Sequence, residues 1–170
     1  MWNRRDLVLT AAGALAAAAL PLPAAAATAS NFSLRNLAGK EVNLTDYEGR
    51  VVLLSFWATW CGPCKVEMKH LHEYHTELAE KGLTVLFISI DDARAAMAVK
   101  QYVKKQGYDE AQFLLDPQSE AVALFNAKKT VPLSVLIDKK REIVKTWEGF
   151  NPGEEVAVKE AILAELAKNT

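Results

Sequence analysis

Cysteine is nearly absent from this sequence: 170 residues contain two, Cys61 and Cys64. That excludes a disulfide-stapled miniprotein and a four-cysteine metal site. Histidine is also scarce, with His70, His72 and His75 close together and none after them. Charge of one sign is missing, because 20 basic and 21 acidic side chains leave a net −1. No basic field exists to hold nucleic acid, and no acidic block makes a solvated tail. Eight glycines and six prolines are too few for a collagenous or low-complexity chain. Long apolar runs are lacking too. Leu7–Leu20 carries no charge but stops before Pro21 and Pro23, short of the about 20 residues a membrane span needs.

What is present begins with an address. Arg4 and Arg5 precede the Leu7–Leu20 run, and small residues follow through Ser30. This is a basic region, an apolar region and an Ala-x-Ala cleavage zone, with candidate cuts after Ala27 or Ala29. Residues 1–29 are therefore expected to be a cleaved export signal, which implies a periplasmic protein; the alternative is an uncleaved membrane anchor. Asn3-Arg4-Arg5-Asp6-Leu7-Val8-Leu9 also resembles the twin-arginine export motif, with Asn and Leu at two of its usual positions changed. An ordinary secretory signal with two charges is the other reading.

Residues 30–170 read as one α/β domain. Short alternations around Ala38-Gly39-Lys40 predict a hairpin, and Asp46 to Arg50 a polar turn. Val51–Trp57 and Leu83–Ile90 are continuous apolar runs, the signature of strands buried on both faces. A helix is predicted from just after Cys61 to Gly82, and another from Ala93 to Gln106, stopped by Gly107. Phe113–Leu115 predicts a short strand and Ser119–Phe125 a short helix. Val131–Asp138 and Glu142–Gly149 predict antiparallel strands, and Glu154–Lys168 a final helix. About 140 residues can bury a core without staples, which leaves the two cysteines free for chemistry.

Trp60-Cys61-Gly62-Pro63-Cys64-Lys65 lies between the first buried strand and the first helix. Two cysteines three apart there can close a small disulfide ring. Cys61 falls at the helix N-terminus, where unpaired N–H groups and the macrodipole favour its thiolate. Pro63 has no N–H to lose and suits the first helical turn. Cys64, one turn further in, is expected to be less exposed. Cys61 is thus the expected nucleophile and Cys64 the resolving thiol. Zinc needs about four ligands, which the chain does not supply. A three-residue ring constrains little chain entropy, which argues against a structural disulfide. Lys65 follows Cys64 where a haem-attachment motif needs His. His72 and His75 share a helix face that is expected to be solvated.

The segment Ser55-Phe56-Trp57-Ala58-Thr59-Trp60-Cys61-Gly62-Pro63-Cys64-Lys65 resembles the active-site segment of thioredoxin-fold proteins. Thr130-Val131-Pro132, running into Leu133–Asp138, resembles their cis-proline loop. The N-terminal hairpin, the export signal and the extra strand and helix between residues 83 and 106 resemble the TlpA/ResA-like branch, over about residues 31–168. This resemblance implies a central mixed sheet flanked by helices, with a β-hairpin at the N-terminus and an inserted strand-helix element. It implies that Pro132 is a cis-proline facing the cysteines, and that Trp60, Gly62, Pro63 and Val131 meet the substrate. Thioredoxin carries a buried Asp six residues before its first cysteine, where this chain has Ser55. The TlpA/ResA-like branch carries a Glu three residues after the second cysteine, matched by Glu67, the implied acid/base group for Cys64. Lys69 stands where the branch often has proline.

The expected activity is thiol-disulfide exchange with exported proteins, as a reductant, for example in cytochrome c maturation. No cofactor is needed beyond the Cys61–Cys64 disulfide, no metal is expected, and a membrane thiol donor of the DsbD/CcdA type is implied. The alternatives are an oxidase or isomerase, and a Cu(I) chaperone holding the ion between two thiolates.

Overall fold

The computed structural model describes residues 27–168. Of the export signal expected over residues 1–29, the part through residue 26 lies outside the described residues.

Seven strands form one mixed sheet: β1 Ser33–Asn36, β2 Glu41–Asn43, β3 Val51–Trp57, β4 Leu83–Ser89, β5 Phe113–Leu115, β6 Leu133–Ile137 and β7 Ile143–Glu148. The order across the sheet is β2-β1-β5-β4-β3-β6-β7. β3 lies parallel to β4, and β4 to β5, while the remaining pairs are antiparallel. Four helices follow the predicted order: α1 Gly62–Leu78, α2 Ala96–Gln106, α3 Glu120–Phe125 and α4 Glu154–Ala167. This is the expected α/β thioredoxin-like architecture.

The period of two along the buried strands divides the core between the two faces of the sheet. Val51, Leu53 and Trp57 of β3 join Leu83, Val85 and Phe87 of β4 under α1, α2 and α4. Val52, Leu54 and Phe56 face the other way, with Leu86, Ile88, Leu133 and Val135, under α3 and the N-terminal segment. Every residue of β3 and β4 is buried, as their unbroken apolar runs predict.

Several boundaries differ from the sequence reading. The polar turn expected at Asp46–Arg50 overlaps a 3-10 turn, Leu44–Tyr47, at whose start Asn43 N–H donates to Asp46 Oδ2 at 2.9 Å. The second helix opens as a 3-10 turn, Ala93–Ala95, capped by Asp92. β6 begins at Leu133 rather than Val131, since Pro132 has no N–H to give to a strand ladder; the Val131–Pro132 peptide is cis. Lys69 lies inside an uninterrupted α1, since no proline removes a hydrogen bond there.

The N-terminal segment is clasped to the β6–β7 end. Ile143 N–H donates to the Ala27 carbonyl at 2.9 Å, and Ala29 N–H to the Arg141 carbonyl at 2.7 Å. The Arg141 guanidinium returns a bond to the Ala29 carbonyl at 2.9 Å and pairs with Glu48 at 3.0 Å. Ala29 is 1% exposed.

Candidate active site at the end of strand β3

β3 ends at Trp57, and the chain turns at once. Cys61 N–H donates to the Ala58 carbonyl at 3.0 Å, closing a turn with Thr59 and Trp60 at its centre. Cys61 is the N-cap of α1, in extended backbone geometry, and its sulfur accepts the Cys64 N–H at 3.2 Å. That is the contact a thiolate at a helix N-terminus is expected to gain. Cys61 and Cys64 are joined as a disulfide with Cα atoms 5.4 Å apart. Cys61 is 5% exposed and Cys64 1%, in the order that their positions on the helix predict. Gly62 and Pro63 are exposed, and Trp60 projects outward at 70% exposure.

The cis Val131–Pro132 bond stands at the same end of the sheet. Phe56 pairs with Leu133 as the last register pair between β3 and β6, so Pro132 lies just beyond β6 at the end of the sheet where β3 finishes at Trp57. Val131 is half-buried and packs on the cluster that contains both cysteines. Gly149 N–H donates to the Pro132 carbonyl at 2.8 Å, tying the loop to β7.

Glu67 lies one helical turn beyond Cys64 and is 3% exposed. Its Oε1 accepts the Ser134 hydroxyl at 2.8 Å, while Oε2 is buried without a protein partner. Burial pushes its carboxyl up to about 7; the Ser134 hydrogen bond opposes this and the nearby Glu154 charge adds to it. A carboxyl that titrates near neutrality beside a buried thiol can both accept and return a proton.

Sequence reasoning does not single out Ser134. The available signal is a lone hydroxyl in the apolar run Leu133–Ile137, since a buried hydroxyl needs a partner. Its parity matches Leu136, which faces α1, and it pairs in register with Ser55. Asp91 reads in the sequence, with Asp92, only as a candidate cap for the second helix; the structure gives the cap to Asp92 and another role to Asp91. It is buried just past β4 and accepts bonds from the Thr59 N–H at 2.8 Å and hydroxyl at 2.7 Å.

The histidines correct one expectation. They do not form a solvated face. All three are half-buried. His75 Nδ1 accepts the Val85 N–H at 3.2 Å, and the His72 ring lies 4.3 Å from that of Tyr108. Burial lowers the pKa of both imidazoles. A helix face laid against β4 and the Tyr108 loop is covered by the fold itself, which spacing along one helix does not reveal. Among the described residues no group of three His, Cys, Asp or Glu side chains could hold a metal ion.

Comparison with known proteins agrees with this geometry. Residues 25–163 match the AhpC/TSA family. The thiol-disulfide oxidoreductase ResA of Bacillus thuringiensis subsp. konkukian is 33% identical over 129 residues, covering 75% of this chain and 72% of ResA. A structure described as a DsbE-type thiol:disulfide interchange protein, from Chlorobium tepidum, superposes with a TM-score of 0.76 at 29% identity, covering 84% of this chain and 97% of that one. A solution structure described as a thioredoxin, from Neisseria meningitidis, superposes with a TM-score of 0.63 at 32% identity, covering 78% of this chain and 87% of that one. The paired cysteines at the head of α1, the cis-proline beside them and these relatives lead to one conclusion: the chain belongs to the AhpC/TSA family and, within it, to the TlpA/ResA-like thiol-disulfide oxidoreductases.

Proposed function

We propose that this oxidoreductase works outside the cytoplasm as a dithiol reductant of exported protein disulfides, cytochrome c maturation being one such setting. The observation that carries the reading is the buried Glu67 carboxyl, titrating near neutrality one turn beyond the resolving cysteine. Cys64 is too buried to give its proton to bulk water, so giving up electrons requires an internal base. The Gly62-Pro63 pair supports the reducing direction, since no histidine stands between the cysteines to stabilise a thiolate.

The Cys61 thiolate attacks one sulfur of the substrate disulfide, forming a mixed disulfide and releasing the other sulfur as a thiolate, which takes up a proton. Glu67 accepts the Cys64 proton. Cys64 then attacks the Cys61 sulfur, closing the Cys61–Cys64 disulfide, and the second substrate sulfur leaves and is protonated. Two electrons and two protons pass to the substrate. Pro132, which has no N–H, and the Val131 backbone receive the substrate strand beside Trp60, Gly62 and Pro63. A membrane thiol donor of the DsbD/CcdA type restores the dithiol. The redox group is the disulfide itself, with no added cofactor or metal. Export rests on Arg4, Arg5, the Leu7–Leu20 run and the alanine-rich zone before Ser30.

The test is the reduction potential of the Cys61/Cys64 couple, equilibrated against dithiothreitol or glutathione at pH 7 with thiols trapped by alkylation. A value near or below about −250 mV is expected for a reductant. A value above about −150 mV would make the protein an oxidase.

A further inference from the structure

We propose that Asp91 is a positioning residue for the attacking thiol: its carboxylate fixes the turn that delivers Cys61 to the N-terminus of α1. This rests on Cys61 being the attacking sulfur.

With β3 ended at Trp57, the central N–H of the Ala58–Cys61 turn, that of Thr59, has no strand partner. Asp91 supplies one. Its Oδ2 accepts the Thr59 N–H at 2.8 Å and its Oδ1 the Thr59 hydroxyl at 2.7 Å. Both oxygens therefore grip a single residue, two positions before Cys61. Oδ2 also accepts the Ser89 hydroxyl at 2.8 Å, and Asp91 N–H donates to that same hydroxyl at 3.1 Å. The segment carrying Asp91 is itself anchored. Ile90 N–H donates to the Trp57 carbonyl at 2.9 Å, and Asp116 N–H to the Ser89 carbonyl at 2.8 Å.

Among the described residues no Lys, Arg or His forms an ion pair with Asp91, although it is buried. A buried carboxylate held only by neutral donors is an expensive way to end a strand. What it provides is a forked acceptor that an apolar side chain cannot. The fork seats Thr59 inward and leaves Trp60, the other central residue of the turn, outside. The stabilisation of a thiolate by a helix N-terminus fades within one turn. The location of Cys61 as N-cap, with its sulfur 3.2 Å from the Cys64 nitrogen, thus depends on how firmly the turn is held.

Position and charge predict opposite signs. A loosened turn weakens the contacts that stabilise the thiolate, so Cys61 becomes less reactive at neutral pH. Loss of a nearby negative charge alone would make it more reactive.

The experiment is iodoacetamide alkylation of the reduced protein from pH 5 to pH 10, with the modified cysteine assigned by peptide mass. Asp91→Asn is expected to slow Cys61 alkylation at pH 7 by about threefold or more. Thr59→Val, which keeps the N–H bond and removes only the hydroxyl bond, is expected to slow it less. Both deficits disappear at pH 10, where the thiol is ionised in every variant; a mere loss of access would persist there. Faster alkylation of Asp91→Asn at pH 7, or unchanged profiles in both variants, would overturn the proposal. If Asp91→Asn does not fold, as judged by circular dichroism, an unchanged Thr59→Val profile overturns it alone. Faster alkylation at Cys64 than at Cys61 in the parent protein would instead refute the assignment of the attacking sulfur, and this role with it.

Discussion

Replacing Glu67 with glutamine removes a group whose ionisation opposes folding. Burial raises this carboxyl from 4.5 to about 7. The folded chain therefore binds more protons than the unfolded chain between those two values. Stability from the group is fully present below pH 4.5 and is lost as pH rises through 7. At 1.36 kcal/mol per pH unit, the loss by pH 8.5 is about 3 kcal/mol. The amide side chain of Glu67→Gln cannot ionise, so the stability difference between parent and variant should shift by that amount, in the variant's favour, from pH 4 to pH 8.5. A fixed cost of placing an amide beside Ser134 cancels in this comparison. The measurement is urea unfolding of both oxidised proteins across the pH range. Oxidation removes the thiols from the titration, and the histidines are common to both chains. Parallel stability profiles, with a change below about 1 kcal/mol, would refute a carboxyl held near neutrality by burial, and with it the proton-transfer role.

Two further perturbations follow from neighbouring contacts. Ser134→Ala deletes the hydrogen bond that favours the ionised carboxyl; the Glu67 midpoint should rise by about one pH unit, read by carbon NMR of the side-chain carboxyl, and an unchanged midpoint would mean that the bond is equally strong in both charge states. Arg50→Ala removes three bonds, to the Thr84 hydroxyl at 2.7 Å and the Ala79 and Leu83 carbonyls at 2.9 and 2.8 Å. It should cost about 2–4 kcal/mol in urea unfolding and leave the reduction potential unchanged, because these bonds hold the end of the molecule away from the cysteines.

Much of the fold was legible because its signals are local. Val51–Trp57 and Leu83–Ser89 are apolar on both faces, and only a covered strand needs that pattern. Gly107 ends α2 in left-handed geometry as its position predicts, whereas α1 stops at Leu78 and Gly82 ends, in the same geometry, the 3-10 turn Ala79–Lys81 that follows it. Cys61 and Pro63 mark the head of α1 by the same kind of local chemistry. What could not be read depends on distant partners. Strand β1 bridges β2 and β5, so the hairpin extends the central sheet rather than standing apart from it. The histidines looked solvated because the elements that cover them come later in the chain. Glu67 could be placed one turn from Cys64, but the hydroxyl that holds it lies 67 residues away. Thr59 likewise gives no hint that its anchor is 32 residues downstream.

The clasp at the N-terminal segment makes the two Ala-x-Ala positions unequal. Cleavage after Ala29 would discard a buried side chain and both hydrogen bonds with Arg141, one to its backbone carbonyl and one from its guanidinium. Cleavage after Ala27 would give up the Ile143–Ala27 bond but keep these contacts, with Thr28 as the first residue. Ala27 and Thr28 are exposed whereas Ala29 is not. Were the chain exported already folded, the 27–28 bond would be the exposed one; were it exported unfolded, this edge of the core would be complete only if a cut spared Ala29. If the leader is removed, a cut that spares Ala29 would preserve this edge of the core and one that takes it would not.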